Sequence, residues 1–596
     1  MTDVTAQSLD LKSLQQAYAS GHISARDVIR EVYKRVEARA NDNTWIYLIP
    51  EDVALAQLDA ADENAPLYGI PFAIKDNIDA AGHPTTAGCP AYAYTSTEDA
   101  TVVANLQAAG AILIGKTNMD QFATGLVGVR SPYGPAKNAF DARYISGGSS
   151  AGSAVAVAAG LVSFALGTDT AGSGRVPAAF NNLVGLKPTR GLISAKGVVP
   201  ACQSLDCVSI FALTVSDAHA VLDVAASFDA DDPYSRQSRL VTASSSPLCI
   251  GIPKPDALQA FIQPGYPALY ESAITTLEQL GHTVQEVDFT PFRETAELLY
   301  GGPWVSERVS AIESFYTDHK NDLHPVLRII LENAERYSAA DVFNAMHKLE
   351  ALRRRCDALW QDIDVLVTPT TSRIFTIDEV GEEPLELNSQ LGYYTNFVNL
   401  LDYAALALPA GVTADGLPFG ITAIAPAWRD ALLVNLGIHF QTANNLPLGA
   451  TQHSLPAASL DSVLTTQKDV IQVAVFGAHL QGQPLNSQLT ERAAKLVKTC
   501  KTAPAYTFYA LSGSQPAKPG LVRVQADGAA IEAEVWEMST AAFGSFVALV
   551  PAPLVIGMVE LEDGTWVKGF LCEPYALDDA SEITHLGGWR AYLAEG

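Results

Sequence analysis

Thirty residues constrain this chain more than any others. Ser146 to Arg175 reads SGGSSAGSAVAVAAGLVSFALGTDTAGSGR, two Gly-Ser turns enclosing a helix of small side chains and a short strand. Glycine at such turns opens backbone conformations closed to other residues and lets another group approach the main chain closely. The apolar run Ala154 to Gly167 is about fourteen residues long, short of the roughly twenty needed to cross a bilayer. It is expected to be buried and helical. The second turn, Thr170-Ala171-Gly172-Ser173, is suited to place consecutive N–H donors around an oxyanion while presenting a hydroxyl. A single Gly-Ser turn is often only a turn, so any chemistry here needs partners elsewhere.

A chain of 596 residues exceeds one hydrophobic core, which seldom grows beyond about 250 to 300 residues, and two to four domains are expected. Its 65 acidic and 38 basic residues give a formal charge of -27, which disfavours nucleic acid and anionic membranes as partners. Seven cysteines are scattered without a C-x-x-C pair, a pattern of a reducing compartment with neither a disulfide framework nor a zinc site. The start, MTDVTAQSLDLKSLQQAYAS, has no basic region followed by an apolar core, so a cytoplasmic protein is expected. No metal and no cofactor is implied.

Helices are expected within the first forty residues. Ser24 with Asp27 resembles a capping box, and Val28, Ile29, Val32, Tyr33 and Val36 follow on one face. Ser338 and Asp341 open a second such helix, with Val342, Met346, Leu349, Cys356 and Leu359 as its core-facing stripe. The runs YGIPFAIKD, AILIGKT and DVLVTPT read as strands. Such strands alternating with helices imply an α/β fold with a covered sheet. A linker is expected at 446–467, dividing a domain 1–445 from an α+β domain 468–596. In the latter, VIQVAVFG, AIEAEVWEM, FVALVPAP and WVKGFLCEPYAL read as β segments and LTERAAKLVKTC as a helix. Gly110 to Thr117, GAILIGKT, formally matches a phosphate-binding loop. It is rejected because Ala-Ile-Leu-Ile is a strand that would aim apolar side chains at phosphate.

A serine nucleophile needs a base, and no histidine lies between His83 and His219. Lys75, in the apolar run GIPFAIKDN, is the alternative, because desolvation can leave its amine neutral. Taken alone, Lys75 reads as an ordinary lysine paired with Asp76 or Asp79. The combination of motifs changes this: GIPFAIKDNID, GKTNMDQFATG, ISGGSSAGSAVAVAAG and GTDTAGSGRVPAAFNNLVGLKPTRG resemble the amidase signature family over about residues 10 to 440. The resemblance implies a mixed central β-sheet covered by helices on both faces. It also implies a triad of Lys75, a cis-peptide serine at Ser149 and a nucleophile at Ser173. Lys75 would take a proton from Ser149, and Ser149 from Ser173, while N–H groups of Thr170, Ala171 and Gly172 hold the oxyanion. Ala151 and Ala171 stand where the family often has glycine; neither change removes a reacting group. Asp169 and Arg175 are expected to form a structural ion pair around the nucleophile.

Two further features narrow the substrate. ELLYGGPWVSERVSAIESF resembles the segment of allophanate hydrolases in which a tyrosine and an arginine, here Tyr300 and Arg308, hold a substrate carboxylate. Eight residues apart on one helix, the two differ by about 80° and could flank one pocket. The competing reading is a surface Arg308 paired with Glu307 or Glu313. The C-terminal domain resembles the extra domain of allophanate hydrolases, similar in fold to γ-glutamylcyclotransferases, with His479 as the matching histidine that assists decarboxylation of N-carboxycarbamate. The expectation is hydrolysis of allophanate to ammonia and carbon dioxide in urea or cyanuric acid breakdown. The expected partner is this small molecule, with no nucleic acid and no membrane, in a homodimer standing alone or within a larger assembly of pathway enzymes. The alternatives are an amidase of other specificity, the amidase subunit of a tRNA-dependent amidotransferase, or a tail that serves only oligomerisation.

Overall fold

The computed structural model describes residues 4–238, 247–258, 263–456, 470–492, 494–513 and 515–595. They form two compact units, Met1–Ser459 and Leu460–Gly596. The expected linker, 446–467, lies outside the described residues from 457 onward. Its earlier part is anchored to the first unit: Asn182 Nδ2 donates to Pro447 O at 2.8 Å and Gly449 O at 2.9 Å.

The first unit opens with helices α1 (Leu11–Ala19) and α2 (Ala25–Ala38). Ser24 caps α2 by accepting from Asp27 N at 3.2 Å. The expected box is only half made, since the Asp27 carboxylate takes the Ser24 hydroxyl at 2.6 Å instead of its main-chain N–H. Val28, Ile29, Val32 and Val36 are buried as the spacing predicts.

An eleven-stranded mixed sheet flanked by helices dominates this unit. Its strands are β1 (Trp45–Leu48), β2 (Pro71–Lys75), β3 (Ile112–Thr117), β4 (Phe164–Asp169), β5 (Val184–Lys187), β6 (Cys207–Ala212), β7 (Cys249–Pro253), β8 (Thr283–Val287), β9 (Val365–Pro369), β10 (Tyr403–Val412) and β11 (Pro418–Pro426). Their spatial order is β1-β3-β2-β4-β6-β5-β10-β11-β9-β7-β8. β2 runs parallel to β3 and β4, and β4 antiparallel to β6. Every residue of β2, β3, β4, β5 and β6 is buried, which is why these strands read as near-continuous apolar runs without alternation. The rejected phosphate-loop match falls on β3. The apolar run from Ala154 splits: helix α3 (Ala151–Ala158) stops before Gly160, at φ +66°, and β4 follows.

Helices α4 (Thr290–Gly301), α5 (Trp304–Ala311) and α6 (Ala339–Asp357) follow β8. The α6 capping box of Ser338 and Asp341 is complete. Its buried stripe is Ala345, Leu349, Leu352 and Cys356, whereas Met346, expected in the core, is half exposed. A stripe stepping by four, three and four residues from Ala345 leaves its neighbour Met346 pointing away.

The second unit has its own core, including Val473, Phe508, Trp536 and Trp589. Strands β12 (Val470–Val475), β13 (Lys495–Lys501), β14 (Tyr506–Ala510), β15 (Pro519–Arg523), β16 (Glu532–Ser539), β17 (Leu554–Glu560), β18 (Trp566–Cys572) and β19 (Ser581–Glu582) make a five-stranded sheet, β13-β16-β12-β18-β17, and a three-stranded one, β15-β14-β19. Two expectations fail here. The helix expected over Leu489–Cys500 is a single turn at Ser487–Thr490 followed by strand β13. Pairing with β16 sets Lys495 opposite Glu537 and Lys501 opposite Glu532, and this tertiary pairing overrides local helix preference. The β segment expected over Phe546–Pro553 is instead the end of helix Thr540–Val547, capped by Ser539, and a turn. Pro551 and Pro553 lack the N–H that a ladder needs.

Candidate active site

Lys75 ends β2, and its side chain is fully buried. Nζ donates to Ser149 Oγ and to Thr168 Oγ1, each at 2.7 Å. Neither acid that could have paired with it does so: Asp76 accepts from Thr86 N and Gly88 N, and Asp79 from the Thr85 and Tyr94 hydroxyls. Burial pulls the Lys75 pKa down from 10.5 to about 7, although Asp120, Asp206 and Asp169 favour its charged form. An amine with that proton affinity is about half neutral near pH 7 and can act as a base. Thr168 is a contact that sequence reasoning missed. The signal lies in the pairing of β2 with β4, Ile74 beside Leu166, which brings the ends of both strands together.

Ser149 precedes α3, and the Gly148–Ser149 peptide is cis. Asp120 holds the loop in front of it, donating its own N–H to Ser149 O at 3.0 Å while its carboxylate accepts from Gly128 N and Arg130 N. Only glycine fits at 148, where a Cβ would lie 2.1 Å from Asp120 Oδ2.

The turn after β4 carries Ser173. Asp169 and Arg175 form the expected ion pair, with Nε–Oδ2 and Nη2–Oδ1 both at 2.9 Å and both residues fully buried. Burial pushes the Asp169 carboxyl up, but Arg175 and the surrounding donors outweigh it and hold the group below its usual range. Asp169 also accepts from Gly172 N at 2.9 Å and Gly174 N at 3.0 Å. This bears on the expected oxyanion trio of Thr170, Ala171 and Gly172. The Gly172 N–H is committed to Asp169, whereas those of Thr170 and Ala171 make no such bond. Gly172 has φ +135°, and a Cβ there would meet Thr395 Oγ1 at 2.6 Å. Ser173 Oγ donates to Gly125 O at 3.4 Å, and the Ser149–Ser173 hydrogen bond of a relay is not formed in this state.

Tyr300 and Arg308 do not share one helix as expected. Gly302 and Pro303 break the chain between α4 and α5, since proline cannot continue the hydrogen-bonded run. The two residues nevertheless meet: Arg308 Nη2 donates to Tyr300 Oη at 3.3 Å, and the guanidinium lies 5.1 Å from the ring centroid. Arg308 is 3% exposed. Nη1 donates to Thr124 Oγ1 at 3.0 Å, and Nε has no partner. The surface pairing with Glu307 is not made, because Glu307 accepts from Ser204 N and Oγ. Thr124 is followed by Gly125, whose carbonyl receives Ser173 Oγ, so one loop joins the guanidinium to the serine. A buried guanidinium without a carboxylate is costly, and its open donors suit an anion.

In the second unit, His479 follows β12. Its Nε2 lies 3.0 Å from Gln488 Oε1, and its ring stacks on Phe570 at 5.1 Å. Burial holds its pKa below the usual value. It lines a cavity of about 20 Å³ with Phe476, Phe508, Lys518 and Phe570, room for about one water. Among the described residues, no three His, Cys, Asp or Glu side chains cluster as metal ligands. No described helix is long and apolar enough to cross a membrane.

A desolvated amine touching one serine can take a proton from a hydroxyl, and a buried guanidinium with open donors can meet an anion. The chain belongs to the amidase family, whose model matches residues 27–434. Residues 471–594 match the allophanate hydrolase C-terminal domain. Over 93% of its length the chain is 47% identical to a Saccharomyces cerevisiae urea amidolyase, covering 31% of that protein; it thus spans about a third of the length of such relatives. A glutamyl-tRNA(Gln) amidotransferase subunit of Streptococcus thermophilus is 34% identical over 73% of this chain and 96% of its own. Among solved structures, a Kluyveromyces lactis allophanate hydrolase is 40% identical with a TM-score of 0.77, covering 98% of this chain and 99% of that one.

Proposed function

We propose that this protein hydrolyses allophanate. The observation that carries the reading is the buried Arg308, stacked on Tyr300 without a carboxylate of its own and tied through Thr124 and Gly125 to Ser173. In a chain of net charge -27 long-range attraction cannot recruit an anion. Recognition is local, because charges beyond a Debye length of about 8 Å are largely screened.

Ser173 turns from Gly125 O toward Ser149 and attacks the amide carbonyl. Its proton passes to Ser149, and the Ser149 proton to neutral Lys75. Thr170 and Ala171 N–H groups hold the tetrahedral oxyanion, and Arg308 with Tyr300 holds the distal carboxylate. The proton returns to the leaving nitrogen, ammonia departs, and water releases N-carboxycarbamate from the acyl-enzyme. We assign residues 1–445 to this step and the domain at 468–596 to its sequel, in which His479 assists loss of carbon dioxide. The whole would act as a cytoplasmic homodimer, with the greater length of urea amidolyases marking the kind of larger assembly in which such a unit can work. The amidotransferase reading is less favoured: those relatives match 73% of the chain, while residues 471–594 match the allophanate hydrolase C-terminal domain.

The test is ammonia release from allophanate, with biuret, malonamate and glutamine as comparators. Turnover strongest on allophanate is expected. Preference for an uncharged amide would overturn the reading.

A further inference from the structure

Asp206 is one of several buried acids of this unit that neither the triad nor the ion pair uses, and it is the one that holds the Thr170 hydroxyl. It stands immediately before β6 and accepts three hydrogen bonds: from Thr170 Oγ1, from Ala201 N at 2.8 Å and from Cys202 N at 3.2 Å. It forms no ion pair among the described residues. Its neighbour Leu205 is fastened to the same turn, because Asn399 Nδ2 donates both to Leu205 O at 3.0 Å and to Asp169 O at 2.7 Å. The segment 201–206 and the turn 169–173 are therefore stitched at two points, and one of them is the side chain of Thr170, whose N–H is a proposed oxyanion donor.

We propose that Asp206 is a positioning residue for the acyl-transfer step: by holding the Thr170 hydroxyl it fixes the main chain that receives the oxyanion, and its charge belongs to the field in which Lys75 exchanges its proton. The inference rests on the roles given above to Ser173, Lys75 and Thr170. Neutral hydrogen bonds alone could orient Thr170, so the charge needs a separate reason. The charged groups whose fields act on Lys75 are Asp120 from the turn after β3, Asp169 from β4, Asp206 from the segment before β6 and Arg308 from α5. Three negative charges favour the lysine cation and Arg308 opposes them. Burial pushes the Asp206 carboxyl up, against the bonds from Thr170, Ala201 and Cys202. Without Asp206, the balance around Lys75 moves toward the neutral amine.

The test measures the rate at which a fluorophosphonate labels Ser173 across pH, a reaction that needs the nucleophile and oxyanion donors but not the carboxylate site. Asp206→Ala and Thr170→Val should each slow labelling about 10²-fold, the usual cost of losing one oxyanion donor. The double variant should be little slower than Asp206→Ala, because Thr170→Val removes only an interaction that Asp206→Ala has already removed. Asp206→Asn keeps an acceptor for Thr170 and should label faster than Asp206→Ala, with its acid limb moved to lower pH. Thr170→Val should leave that limb in place. Labelling of Asp206→Ala at the wild-type rate, additive losses in the double variant, or an unmoved limb in Asp206→Asn would each overturn the proposal. If Asp206→Ala does not fold, Thr170→Val and Asp206→Asn still decide it. Wild-type labelling at Ser173 without turnover of allophanate would refute the substrate assignment and leave the Asp206 comparison standing. Absence of wild-type labelling at Ser173 would overturn both.

Discussion

The two units hold their candidate groups in opposite ways. Around Ser173, charged side chains are buried in hydrogen-bond networks: Lys75 touches Ser149 and Thr168, Asp169 takes Arg175 and two main-chain N–H groups, and Arg308 waits beside Tyr300. Around His479 the walls are aromatic, the polar contact is Gln488, and the cavity is about 20 Å³. The first arrangement can stabilise an oxyanion and bind a carboxylate. The second can keep an imidazole neutral and move a proton, and Lys518 is the charged side chain that lines the same cavity. This contrast supports the proposal that the first unit breaks the amide bond and the second handles what the first releases.

The contrast is tested most directly at the nucleophile. Ser173→Ala should reduce ammonia release about 10⁴-fold or more, in line with removal of a triad member elsewhere; turnover near wild type would place the chemistry in another part of the chain. Lys75→Met should cost a comparable factor. In the unmodified chain kcat/KM should rise with pH through about 7, because the base must be neutral. The same shift has a stability counterpart. A lysine whose folded pKa lies below 10.5 binds more protons when unfolded, so its cost to stability grows as pH falls from about 10.5 toward 7. Lys75→Met should therefore raise the melting temperature at pH 7 while abolishing activity, and a fall in melting temperature would show that burial is not the cause.

Arg308→Ala separates binding from chemistry within the first unit. It should raise KM for allophanate about 10- to 100-fold, the worth of a charge-assisted hydrogen bond, and leave KM for biuret within about threefold. Equal effects on both substrates would remove the carboxylate clamp. The smallest effect on the first step is expected from His479→Ala, which should change the initial deamination less than about twofold, since the proposed first step uses none of its groups, while N-carboxycarbamate accumulates. Unchanged carbon dioxide yield from that variant would remove the chemistry from the second unit.

Much of the site was legible because its residues sit in local motifs. Lys75 at the end of an apolar run, the Gly-Ser turns around Ser149 and Ser173, and the Asp169–Arg175 pair are short-range patterns with short-range causes. What could not be read depended on pairing between distant segments. Lys495 to Lys501 ends a stretch that reads as a helix, and it is a strand because β16 pairs along it. Met346 lost its place in the core to Ala345 because the face of α6 that is buried runs through Ala345, Leu349, Leu352 and Cys356.

The order of residues settled which side chains are available: two serines, a lysine without a histidine to replace it, and an arginine within eight residues of a tyrosine. Their states were set only by folding in three dimensions. The β2–β4 pairing buries Lys75 against hydroxyls and pulls its proton affinity down, the Gly302-Pro303 break folds Tyr300 against Arg308, and Asp169 takes the Gly172 N–H. Desolvation and hydrogen-bond competition depend on what surrounds a group in space, and no local pattern along the chain encodes that.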